Sequence, residues 1–240
     1  MTPLAADDQP KPTAGQMREL TLRGCEIARL AAAAAVQGIA SGDPGALDSV
    51  RRYEEDLDTI DRQINEGVTA AIPGASESDA RELLSSLKSI LELERVTDLL
   101  LNVANRARTV AARIAPEDAA DLKLMAGILE QMLSDAQIAF RDRDLKRALS
   151  IMRSDAEMDR LRNLVFVRHI DNPENQPRRE SFHLVFMSQT LERAGDHVKN
   201  MAEEVCHLVT GRSVRHLIRA ADKPFEEMFV DWMRRQSARK

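Results

Sequence analysis

Four pairs of acidic residues, each spaced four positions apart, are the groups in this sequence best equipped for chemistry: Glu54 with Asp58, Glu94 with Asp98, Asp155 with Asp159, and Glu192 with Asp196. On an α-helix, positions i and i+4 share a face, and like charges there repel by roughly 0.2–0.5 kcal/mol per pair. A single such pair is most simply a solvated polar face. Four pairs in register across a duplicated chain are different. If the helices that carry them pack antiparallel, each half gathers four carboxylates into an all-oxygen cluster. Such a cluster suits hard cations, Mg²⁺, Mn²⁺ or Fe³⁺, and is tolerated by Zn²⁺.

Other chemistries find less support. Glu-x-x-His, the element of ferritin-like di-metal oxidases, occurs at Glu180/His183 and at Glu204/His207. Both copies fall on one helix, 24 residues apart, which at 1.5 Å per residue is about 36 Å, so they cannot share a metal pair within one chain. These histidines, and His169 and His216, are read as packing or surface residues. There is no Gly-x-Ser-x-Gly, no P-loop, and no Cys/His arrangement that spacing supports. The run Arg141 to Arg147, RDRDLKR, alternates in sign and reads as a solvated helix junction.

The elements that must position the acids follow from periodicity and punctuation. Turn or helix-start signals at Gly42-Asp43-Pro44, Pro73-Gly74, Ala115-Pro116, Arg143-Asp144 and Asp171-Asn172-Pro173 separate six amphipathic segments. They predict helices over 16–41, 44–72, 77–114, 117–142, 144–170 and 177–211, with a further one near 222–236. In the sixth, Leu184, Met187, Leu191, Ala194, Val198, Met201, Val205 and Leu208 form one apolar stripe. Glu192 and Asp196 fall on the opposite side with Gln189, Asn200 and Glu203. The pair therefore faces away from its own core.

A gapless internal repeat links the halves. Residues 43–58, DPGALDSVRRYEEDLD, lie over 144–159, DLKRALSIMRSDAEMD, at an offset of 101. LERVTDLLLNVA from Leu93 lies over LERAGDHVKNMA from Leu191 at an offset of 98. The second register sets Glu94 on Glu192, Asp98 on Asp196 and Asn102 on Asn200. One shorter loop accounts for the difference, so the fold is expected to be all-α: two tandem three-helix bundles, 16–114 and 115–216, behind a disordered cytoplasmic leader (1–15) and before a C-terminal helical extension (217–240).

Composition agrees. Aromatic residues are only 3 % of the 240, which starves a β-sheet of its favoured side chains. With 34 basic and 39 acidic residues interspersed and a net charge of −5, the chain lacks the positive field that nucleic-acid backbones need. The longest apolar run, Leu30 to Val36, is far short of the ~20 residues that span a bilayer. Cys25 and Cys206 stand apart, without zinc or redox spacing, and read as reduced buried thiols.

At the blocks just quoted the sequence resembles the PhoU family, the phosphate-specific transport system accessory proteins of bacteria, over roughly residues 16–216. The most specific block, LERAGDHVKNMAEEVCHLVTGRSVRH from Leu191 to His216, is similar to the family's ER-x-G-D-H motif and its VRH ending. LELERVTDLLLNVANRA, Leu91 to Ala107, is similar to the same motif in the first repeat, and Ser78-Asp79-Ala80-Arg81 to its S-D-x-R helix start. The resemblance implies metal clusters on the bundle surfaces. Glu54, Asp58, Glu94 and Asp98 would form one site and Asp155, Asp159, Glu192 and Asp196 the other, for Fe, Zn, Mn or Mg. It also implies Arg95 and Arg193 as partner-contacting or structural cations and Asn102 and Asn200 as polar neighbours. Thr97 departs from the motif's glycine; its Cβ and hydroxyl could crowd a close helix contact, which places the first site behind the second.

The function implied is non-enzymatic: negative regulation of phosphate uptake and starvation signalling, through contact with the transporter's ATPase subunit and a sensor histidine kinase on the cytoplasmic face of the inner membrane. Two alternatives stand beside it. One is an accessory of another transporter, and the other is a metal-dependent enzyme or metal store on the same scaffold. Apolar residues on both sides of the third helix, Leu87 and Leu91 on one and Val96, Leu100 and Val103 on the other, suggest further packing and a homodimer. Beyond His216, Phe225, Met228, Phe229, Trp232 and Met233 give an apolar helical face expected to dock on the second bundle or a dimer mate.

Overall fold

Local signals start and stop each helix. In this computed structural model, which describes residues 11–110, 113–170 and 179–211, six α-helices are seen. α1 (Ala14–Ser41) opens on a capping box: Gln16 N–H donates to Thr13 Oγ1 at 3.2 Å, and Thr13 N–H to Gln16 Oε1 at 2.8 Å. Ala14 and Gly15, assigned to a leader from sequence, are instead the first turn of this helix, because the box satisfies its free N–H groups. α1 ends where Gly42 turns left-handed at φ 67°.

Asp43 then caps α2 (Pro44–Ala71) by accepting from Gly45 N–H at 2.9 Å, with Pro44 in the first turn. A single 3-10 turn at Ile72–Gly74 leads to α3 (Glu77–Val110), whose start is held by Ser76 Oγ accepting from Asp79 N–H at 3.1 Å. Pro116 opens α4 (Pro116–Asp142), so Ile114 is not helical and the predicted end of the third helix at 114 overshoots. Arg143 at φ 56° closes α4. Asp144 caps α5 (Leu145–His169) through Lys146 and Arg147 N–H, and α6 (Arg179–Thr210) completes the set. Residues 1–10, the remainder of the leader, His216 and the predicted helix near 222–236 lie outside the described residues.

α1, α2 and α3 pack on one another, as do α4, α5 and α6, and the two groups meet through α1 against α4 and α3 against α6. α1 sits at the centre because its inner face is small: Ala28, Ala31, Ala32 and Ala35 are fully buried and let three neighbours approach closely. Larger side chains fill the remaining space. Leu57, Ile64, Leu93 and Leu100 in the first half and Leu129, Leu133, Phe140 and Met187 in the second are essentially solvent-free, each stabilising by about 1.5–3 kcal/mol. The apolar core is continuous through both halves.

Within the first half, the Arg108–Asp48 ion pair at 2.5 Å joins the end of α3 to the start of α2, so these helices run antiparallel. Lys199 of α6 on Asp155 of α5, and His169 Nδ1 against Ser181 Oγ at 3.3 Å, fix the same arrangement in the second. No helix among the described residues is long and apolar enough to cross a membrane.

Candidate metal centres

The antiparallel pairing of α2 with α3 sets the four acids of the first half on one flank. Leu57, Ile60, Leu93 and Leu100 bury the other faces of these helices, which leaves Asp58 exposed and Glu54, Glu94 and Asp98 half-buried. The acids feel one another. Partial burial raises the titration of Glu54 above the ordinary glutamate range, and the charges of Asp58 and Asp98 add to it. Glu94 is raised likewise, first by burial, then by Asp98, Asp58 and Asp61 against the opposing charge of Arg95. Among the described residues no cation pairs with Glu54, Asp58 or Asp98. Arg95 reaches Glu94 at 3.4 Å, but it is solvent-exposed and such a pair is weak.

The second half places its acids at the corresponding positions but not in the corresponding environment. Asp155 is 7 % exposed and is ion-paired with Lys199. Arg162 Nη2 donates to Asp159 at 3.0 Å. Glu192 is pushed up to about 7, foremost by burial, with Asp196 and Asp159 raising it against the attraction of Arg162. Asp155 is raised by burial in spite of Lys199. Burial alone would lower Lys199, yet the hydrogen bond and charge of Asp155, with Asp196 and Glu203, hold its titration above the usual lysine range. Gln189 Nε2 donates to Glu192 at 3.1 Å.

The eight acids are thus electrostatic neighbours across the helices of each half. Among the described residues, however, no three Asp, Glu, His or Cys side chains are drawn together closely enough to hold a metal ion as they stand. The donor chemistry of the first half fits a hard cation: five carboxylates counting Asp61, and repulsion without a buried counter-charge. In the second half it fits less well, because two of four carboxylates already carry an organic cation. Lys199, Arg162 and Asp61 were not singled out from sequence, although the repeat shows them. Lys199 lies over Leu101 and Arg162 over Asp61.

The expected polar neighbours divide. Asn102 Nδ2 donates to the Asp98 carbonyl at 3.0 Å, beside its cluster. Asn200 instead donates to Glu92 at 3.2 Å, where His197 Nδ1 also meets Glu92 at 2.7 Å, in the seam between α3 and α6. Arg193 is exposed. His169 Nε2 lies 2.8 Å from Asp118, which with Asp121 also receives Arg168, His207 lies 3.8 Å from Glu204, itself paired with Lys88 at 3.1 Å, and His183 Nδ1 is buried without a hydrogen-bond partner among the described residues. Cys25 and Cys206 are buried thiols whose titration burial pushes up to about 12.

The family model for the PhoU domain matches twice, over residues 21–107 and 122–205, one copy to each half. The chain belongs to the PhoU family. Its relatives include the "phosphate-specific transport system accessory protein PhoU homolog" of Pseudomonas aeruginosa, 30 % identical over 76 % of this chain and 78 % of that one. That of Rhizobium meliloti is 31 % identical over 82 % of this chain and 86 % of the relative. The crystal structure of PhoU from Pseudomonas aeruginosa superposes with a TM-score of 0.75 at 25 % identity, covering 82 % of this chain and 97 % of that one. The phosphate transport system regulatory protein PhoU from Streptococcus pneumoniae shares the fold, with a TM-score of 0.76 at 21 % identity over 84 % and 97 % of the two chains.

Within this PhoU chain, the motif glycine of the second repeat is Gly195 and its counterpart in the first is Thr97. The anticipated crowding at Thr97 does not arise: the residue is fully buried, and its hydroxyl donates to the carbonyls of its own helix, Glu94 at 3.1 Å and Leu93 at 3.4 Å. A Cβ at Gly195 would meet only Met132 and Met158 methyl and methylene groups, all at 3.7 Å. Neither repeat needs glycine for helix contact, so Thr97 gives no reason to place the first cluster behind the second.

Proposed function

We propose that this PhoU-family chain is a non-enzymatic, metal-binding regulator of phosphate uptake, which restrains the phosphate-starvation response by contacting the ATPase subunit of a phosphate transporter and a sensor histidine kinase. The observation that carries this reading is the double match of the PhoU domain to two halves that each set acidic pairs on facing helices. The roles of the relatives, accessory protein and regulatory protein of phosphate transport, support the same direction.

The residues supply a surface rather than a reaction centre. The carboxylates of α2 and α3 are held by rigid, core-packed helices, and their repulsion favours taking up positive charge. A bound divalent or trivalent ion would supply that charge and tie the two helices together. Glu54, Asp58, Glu94 and Asp98 would hold it, with Asn102 keeping the Asp98 turn in place and Arg95 open to solvent for a partner's acidic group.

Deleting the gene tests the proposal. Loss of the protein in phosphate-replete medium is expected to switch on a phosphate-starvation reporter such as alkaline phosphatase, and the wild-type gene to silence it. A reporter that stays silent in the deletion strain overturns the regulatory reading. Hydrolysis of a phosphate ester by purified protein, abolished by Asp98→Ala, overturns the non-enzymatic one.

A further inference from the structure

The two acidic clusters descend from one repeat, yet their counter-charges differ. In the second half, Lys199 pairs with Asp155 and Arg162 with Asp159. Both cations lie among the acids rather than at a rim: side-chain exposure is 27 % for Lys199 and 29 % for Arg162. In the first half the aligned positions are Leu101 and Asp61. One position has a neutral side chain and the other adds a negative charge. The cations there, Arg95 against Glu94 and Arg51 acting on Glu54, are solvent-exposed, Arg95 to 63 % at its side chain.

A carboxylate cluster can be neutralised by a metal or by side-chain cations, and the two compete for the same oxygens. A metal entering the second half would have to strip Asp155 of its ammonium and then lie beside that displaced, half-buried charge. In the first half only the solvent-exposed Arg95–Glu94 pair has to give way. We infer that the second cluster is self-neutralised by Lys199 and Arg162, and that metal binding by this chain is confined to the first. This rests on the metal-binding part of the proposed function and specifies which half performs it. The duplicated halves then have separate tasks: one responds to metal, and the other is locked by its own salt bridges.

Equilibrium dialysis of the full chain against Mn²⁺, with bound metal counted by mass spectrometry, tests this in four proteins. Wild type is expected to bind Mn²⁺. The Asp58→Asn, Asp98→Asn variant should lose it and the Asp159→Asn, Asp196→Asn variant should keep it. Arg162→Asp with Lys199→Leu, which installs the first-half residues in the second half, should raise bound metal about twofold. Loss of metal from the Asp159→Asn, Asp196→Asn protein overturns the inference while leaving the metal-binding reading intact. Metal in the Arg162→Asp, Lys199→Leu protein but not in wild type upholds self-neutralisation and overturns metal binding by the first cluster. Metal in none of the four overturns both. Should the Arg162→Asp, Lys199→Leu protein fail to fold by circular dichroism, the two asparagine variants still decide the assignment.

Discussion

Glu192 shows how a residue's surroundings become a dependence on pH. Its carboxyl is raised to about 7, mainly by burial and secondarily by Asp196 and Asp159. In the folded chain it therefore holds its proton over a range in which the unfolded chain has released it. The folded state is favoured at low pH, and this contribution is lost progressively as the pH rises from the ordinary glutamate range to about 7. Glutamine at this position keeps the acceptor for Gln189 and removes the charge. Glu192→Gln is accordingly expected to match wild type near pH 4.5 and to be the more stable protein above pH 7 in chelator-treated buffer, by urea denaturation at each pH. Equal stability across the range would contradict the environment assigned to Glu192. The acids themselves were legible in the sequence because i,i+4 spacing recurs at aligned positions of the repeat. Their counter-ions are not legible in the same way, because Lys199 and Arg162 stand where the repeats differ, over Leu101 and Asp61.

At the scale of the helix, caps and breaks fixed nearly every boundary, since each depends on short-range chemistry: Thr13 with Gln16, Asp43 with Pro44, Asp144 with Lys146 and Arg147. How closely helices approach is a tertiary property and was not readable. Two glycines illustrate it. At Gly38, where α1 meets the start of α2, an added methyl would lie 2.6 Å from Leu47 Cγ, inside van der Waals contact. At Gly195 the space is open to 3.7 Å. Gly38→Ala should therefore destabilise by about 1–3 kcal/mol through overpacking. Gly195→Ala should stabilise by about 0.5–1 kcal/mol, because alanine is the better helix former. Denaturant midpoints that move oppositely confirm the contrast, and a loss of stability at Gly195 would mean that α6 packs more tightly against α4 and α5 than the structure shows.

For the molecule as a whole, the repeat offset announced two halves of three helices, and the chain folds with that architecture. What joins the halves was hidden, because the linking residues are ordinary in type and distant in sequence. Arg143 leaves its turn to pair with Glu82 and to stack over Phe140 at 5.1 Å, Arg29 bridges to Glu130 at 3.1 Å, and His197 meets Glu92. With a core continuous across this seam, the two clusters ride on one body, and a cation bound by α2 and α3 would act on a surface held in place by α6. On the proposal above, cation binding belongs to the carboxylates of α2 and α3. Anomalous diffraction from crystals grown with Mn²⁺ tests it directly: the predicted result is a peak contacting Asp58 and Asp98 with none beside Asp155, whereas a peak at Asp159 and Asp196 with the first cluster empty would contradict it.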